Sequence, residues 1–197
     1  MYEGWEHLLQ TNSDERFIKP YEKYILYVGS ARGHKNLNNL IEAIQITKPQ
    51  LPINYGVIIA GNTSQLTDKQ KYIIKNINEK REIVKLTGWI KDNELSNYFS
   101  HANVFVFPSL SEGFGIPVLE AFYHNVPLIL SNRGSLPEVG GKAAIYFDPT
   151  NIHDIASSIL HFISIEYKIA PLMIKDGNER LKLFSWNEAA KNISSYF

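Results

Sequence analysis

Two short stretches of this sequence carry the side chains best suited to recognising an anionic, hydroxyl-bearing ligand. The first, Ser30-Ala31-Arg32-Gly33-His34-Lys35-Asn36, sets two fixed cations ahead of an apolar helical pattern whose free amides also attract anions. Lys35 is the leading candidate for a phosphate or diphosphate, Arg32 is a second, and His34 reads as an exposed turn residue. The second stretch, Pro108–Glu120 (PSLSEGFGIPVLE), brackets Phe114 with Gly113 and Gly115 just before a helix. Glycines there let backbone amides approach a ligand that Cβ atoms would obstruct. Glu120 lies in the apolar run Ile116 to Phe122, where a carboxylate is costly unless something hydrogen-bonds it. Ribose hydroxyls would do so; an early helical turn favoured by the macrodipole, or a solvent-facing position, explains it equally well. Glu112 has no helical reason for its place, and its alternative is plain solvent exposure.

Several chemistries are excluded by what these stretches lack. A dinucleotide fingerprint needs G-x-G-x-x-G soon after a first strand, but position 118 is Val and the glycines follow the fourth apolar run. There is no GxxxxGK[ST] loop and no G-x-S-x-G nucleophile elbow. Six histidines include no His-x3-His pair or compact ligand set, so no metal is expected. Cysteine is absent, which removes disulfides and thiolate chemistry and makes the cytoplasm the default compartment. Twenty basic residues balance twenty acidic ones, so the broad positive field that draws proteins to nucleic acid is missing. No export signal or membrane-length apolar run is present.

The elements that must position these loops alternate along the chain. Short β-branched or aromatic runs at Tyr24–Gly29, Tyr55–Gly61, Ile83–Gly88, Val104–Pro108, Pro127–Ser131 and Ala144–Phe147 read as strands. Helical patterns at Leu37–Ile46, Thr67–Lys80, Asn93–His101, Gly115–His124 and Ile152–Ile165 separate or follow them. Capping boxes pair Thr67 with Gln70, Ser135 with Glu138 and Ser185 with Glu188. Strict alternation implies right-handed crossovers and an α/β, Rossmann-like, doubly wound parallel sheet of about six strands with helices on both faces. Ligands bind such sheets beyond the strands' carboxyl ends where strand order reverses, usually between the first and fourth strands. The two loops should therefore face each other across one crevice; Trp89, at the end of the third strand, reads as a packing residue, with the border of a base pocket as its alternative. The 197 residues suit one domain spanning 21–197, with 1–20 as a connector and a helical C-terminal tail formed by the stretch around Met173 and the closing SWNEAAKNISSYF.

Three segments together, Gly29…Lys35-Asn36-Leu37, Pro108–Glu120 and Ser131–Val139 (SNRGSLPEV), resemble the C-terminal domain of family 4 retaining glycosyltransferases of the GT-B fold. The most specific element is the pair Glu112 and Glu120, separated by seven residues within EGFGIPVLE. The resemblance implies that Glu120 binds the ribose hydroxyls of a GDP- or UDP-linked sugar. It implies that Glu112 and the backbone of Gly113, Phe114, Gly115 and Ile116 contact the donor sugar, with Glu112 as the catalytic candidate, and that Lys35 binds the diphosphate. The family's usual Arg after the first-strand glycine is Ser30 here, which leaves Arg32 as the candidate second cation. The resemblance further implies metal independence, no cofactor beyond the donor, and a glycan or lipid-linked acceptor held by a separate N-terminal domain. That domain would also mediate any contact with the inner face of the cell membrane. The run SNRGSLPEVGGKAAIYFDP is similar to bacterial mannosyltransferases of lipopolysaccharide and O-antigen assembly, which points to mannose from GDP-mannose. A non-enzymatic nucleotide-binding or interaction domain and a GT-B-like sugar-nucleotide epimerase would share the sheet; the glutamate spacing favours transfer.

Overall fold

The computed structural model describes residues 17–185. Six strands form one parallel sheet: β1 (Lys23–Val28), β2 (Tyr55–Ala60), β3 (Val84–Gly88), β4 (Val104–Phe107), β5 (Leu128–Ser131) and β6 (Ala144–Phe147). Their order is β3-β2-β1-β4-β5-β6, so β1 pairs with both β2 and β4 and the strand order reverses between β1 and β4. This is the doubly wound sheet expected from the alternation, with the switch point where the sequence places it.

Period-two side-chain alternation divides the core into two layers. Ile25, Tyr27, Val57, Ile59, Val104 and Val106 face one side, where α1 (Leu37–Thr47), α2 (Asp68–Ile77) and the first half of α6 (Ile152–Leu181) cover them. Tyr24, Leu26, Ile58, Phe105 and Phe107 face the other, under α3 (Asp92–Ser100), α4 (Ile116–Tyr123) and α5 (Leu136–Gly140). Burial on both faces explains why the strands read as continuous apolar runs.

The last helix among the described residues differs from its expected extent. The periodic segment ending at Ile165 and the separate stretch around Met173 are one helix of 30 residues, with Pro171 inside it. Proline removes one backbone donor and normally stops a helix. Here both halves are packed: Ile155, Ile159 and Phe162 lie in the first core layer, and Leu181, followed by Phe184, lies in the second. Gly177 allows the crossing, because a Cβ there would lie 2.5 Å from Phe122.

Midway along α6, Glu166 ties the helix to the amino end of the sheet. Its carboxylate accepts from Lys23 Nζ, the Tyr55 hydroxyl and Asn103 Nδ2, each at 2.8 Å. Burial alone would raise this carboxyl, but the three donors hold it below the usual carboxylate range.

Of the expected capping boxes, Thr67 with Gln70 forms reciprocally. The hydroxyl of Ser135 caps no helix amide and is used elsewhere. Glu188 lies outside the described residues, as do positions 1–16 of the expected connector and 186–197 of the expected tail.

At the end of α4, His124 lies between two hydroxyls, Ser96 Oγ at 3.3 Å and Ser100 Oγ at 3.1 Å, and stacks on Phe99. Burial pushes its imidazolium down to about 4 from the usual 6.5. Below pH 6.5 the unfolded chain takes up this proton before the native chain does, so stability is complete above 6.5 and falls as pH drops toward 4. After discounting for the ring's partial exposure, the loss is about 1–2 kcal/mol. Urea unfolding at pH 7.5 and 5 should show a smaller loss for His124→Gln than for the parent chain; equal losses would refute the assignment.

Candidate functional site

After β1, the chain makes a short 3-10 turn over Gly33–Lys35, closed by Lys35 N–H to the Arg32 carbonyl and Asn36 N–H to the Gly33 carbonyl. Asn36 then takes a left-handed conformation, φ 55° and ψ 32°, and starts α1. After β4, Pro108 to Gly115 runs to the start of α4, where Gly115, at φ 102°, is the residue before the first helical position. The two loops meet as predicted. The Leu110 amide donates to the His34 carbonyl at 2.8 Å, and Lys35 Nζ lies 2.7 Å from Glu112 Oε1.

This ion pair joins the two loops at the sheet's reversal. Lys35 retains 20% and Glu112 12% of side-chain exposure, so both charges are partly withdrawn from water yet reachable. The Lys35 ammonium also lies 5.1 Å from the Phe107 ring centroid. Beneath it the Tyr27 hydroxyl donates to the Ser30 carbonyl, and burial, followed by the nearby Glu112 charge, raises that phenol well above its usual range.

The glycines of the second loop have different reasons. A Cβ on Gly115 would lie 2.9 Å from Leu136, and its positive φ disfavours any side chain, so packing and backbone geometry both require glycine. A Cβ on Gly113 would meet nothing within 4 Å, which leaves that backbone open. Phe114 is half-buried and packs edge-on to Phe184 against the second core layer. Ile116 is 38% exposed at the start of α4. Glu120 lies four residues on, on the same half-exposed face, while Val118, Leu119, Ala121 and Phe122 form the buried one. Arg32 is exposed and forms no ion pair among the described residues. Trp89 is 73% exposed just beyond β3, two strands away from β1.

Two contributors escaped the sequence reading. Asn36 is 7% exposed, and its side-chain amide donates to the carbonyls of Pro108 and Pro149. Its only sequence signal is that Asn tolerates the left-handed region. Ser135, expected to cap a helix, instead donates to the carbonyls of Phe114 at 2.8 Å and Glu112 at 3.2 Å. The preceding Gly134, at φ 60°, lets the segment approach: a Cβ there would lie 3.2 Å from the Glu112 amide nitrogen. A hydroxyl near both an incipient helix and two carbonyls has two local choices, and the loop's approach decides between them.

The sheet order and its structural match define one Rossmann-like unit of the GT-B glycosyltransferase fold. The chain belongs to the family of glycosyl transferases group 1, whose model matches residues 10–180. It is 29% identical over 183 residues to the O-antigen chain mannosyltransferase B of Escherichia coli, a match covering 92% of this chain and 48% of that protein. It is 30% identical over 141 residues to the O-antigen chain mannosyltransferase RfbU of Salmonella typhimurium, covering 72% and 38%. Among solved structures, sucrose-phosphate synthase from Thermosynechococcus elongatus superposes with a TM-score of 0.73 at 25% identity, covering 99% of this chain and 48% of that one. The chain thus spans less than half the length of these relatives. No helix among the described residues is long and apolar enough to cross a membrane.

Proposed function

We propose that this chain is the donor-binding half of a retaining hexosyltransferase that transfers mannose from GDP-mannose to a glycan or lipid-linked acceptor in cell-envelope polysaccharide assembly. The observation that carries the reading is the Lys35–Glu112 pair at the sheet's switch point, set beside the open backbone of Gly113. In this reading Lys35 binds the diphosphate, with Arg32 free to swing in as a second cation. Glu120 accepts hydrogen bonds from the ribose hydroxyls, and Glu112 with the backbone of Gly113 to Ile116 holds the hexose. Fixed cations and helix amides stabilise the departing diphosphate without a metal. The mannosyltransferase relatives support mannose as the sugar. The acceptor is held by a further domain, which would account for the relatives' greater length and would carry any contact with the cytoplasmic membrane face.

Calorimetric titration with GDP and UDP tests this. GDP should bind more tightly than UDP, and Glu120→Ala should lower GDP affinity about tenfold, the loss expected for hydrogen bonds to a charged acceptor. The variant should also cease to distinguish GDP from 2′,3′-dideoxy-GDP. A variant that keeps both the affinity and the discrimination removes Glu120 from the ribose site, and a parent chain that binds neither nucleotide ends the donor reading.

A further inference from the structure

Asn36 stands next to Lys35 in a conformation that only glycine and a few polar residues adopt readily. Glycine would satisfy the backbone there, so the side chain needs its own explanation. Its amide is almost fully buried and donates to two carbonyls from different loops, Pro108 at 3.0 Å and Pro149 at 2.8 Å. Asn39, one turn into α1, reaches the same Pro149 carbonyl at 2.9 Å. One carboxamide therefore ties together the segments that follow β1, β4 and β6. Two of them carry the members of the Lys35–Glu112 pair, which are 77 residues apart in sequence. A lysine side chain has four flexible carbons and about 2 kcal/mol of rotamer entropy, so the position of its charge depends on how firmly its base is held.

We propose that Asn36 is a positioning residue of the donor site: by clamping the Lys35 turn to the Pro108 loop, it sets the ammonium opposite Glu112 in the place where a diphosphate is received. This rests on the reading of the crevice as a nucleoside-diphosphate site. Asn36 touches no ligand itself and acts through Lys35.

The test uses Asn36→Gly, which retains access to the left-handed conformation and deletes only the two side-chain hydrogen bonds. Calorimetry with GDP and with GMP should show about a tenfold loss for GDP and little change for GMP, because the clamp acts on the diphosphate ligand. In a Lys35→Met background the same substitution should cost nothing further for GDP. Equal losses for GDP and GMP, full additivity with Lys35→Met, or an Asn36→Gly chain that binds GDP as tightly as the parent would each overturn the inference while leaving the donor reading intact. A readout that needs no variant covers the case in which Asn36→Gly does not fold. On adding GDP to the parent chain, amide exchange should slow together across residues 33–37, 108–112 and 149–151; protection confined to 112–116 would overturn the clamp. A parent chain that binds neither GDP nor UDP overturns the donor reading itself and, with it, this inference.

Discussion

Replacing Lys35 with methionine is expected to lower GDP and UDP affinity by about one to two orders of magnitude, the range for loss of a charge-assisted hydrogen bond. Affinity for guanosine should barely change. Methionine is the informative choice because it preserves an apolar stem over the Phe107 ring while deleting the charge. The substitution also strands Glu112, whose carboxylate is 12% exposed and has Lys35 at 2.7 Å. Removing one partner of a partly buried pair leaves the other's desolvation uncompensated, so the free chain should lose about 1–2 kcal/mol of stability. Adding Glu112→Gln should return part of that stability without restoring GDP binding. Urea unfolding and calorimetry on the four chains of this cycle separate the two effects. Unchanged GDP affinity in Lys35→Met would show that the diphosphate is received elsewhere.

The second large effect lies one strand away from the site. At the end of β2, Gly61 has φ 125°, and a Cβ there would lie 2.2 Å from the carbonyl oxygen of Gly29 and 2.8 Å from its carbonyl carbon. The obstacle is backbone, held by hydrogen bonds from Gly29 to Ala60 and from Gly61 to Gly88, so no side chain can move aside. Gly61→Ala should therefore cost about 3 kcal/mol or more, combining a disfavoured φ with displacement of a strand end. Because Gly29 leads directly into the Lys35 loop, GDP binding should fall as well. Gly33→Ala is the control within that loop: its Cβ would meet nothing within 4 Å, and its stability should stay within about 1 kcal/mol of the parent. If both glycine variants melt alike, close approach of the β1 and β2 ends is not what Gly61 provides.

The alternation of apolar runs with helical patterns made the sheet legible, because side-chain periodicity and turn residues are local properties of the chain. All six strands were readable in this way, and the strand-order rule then identified the two loops that meet at the reversal without any knowledge of contacts. Lys35 could be selected because a cation stood in a loop at the sheet's reversal, whereas Glu112 was singled out by the family resemblance of the EGFGIPVLE run. The long α6 was not legible, since Pro171 is locally a helix breaker and only packing on both core layers carries the helix through it.

Local sequence thus determined the elements, their order and the two loops at the sheet's reversal, because each depends on propensity and periodicity over a few residues. Tertiary structure decided how those loops are held. Asn36 donates to carbonyls 72 and 113 residues away, and the Ser135 hydroxyl turns from a helix start to the carbonyls of Glu112 and Phe114. A polar side chain with several possible partners takes the one that the fold brings within about 3 Å, and that distance is set by chain segments far away in sequence.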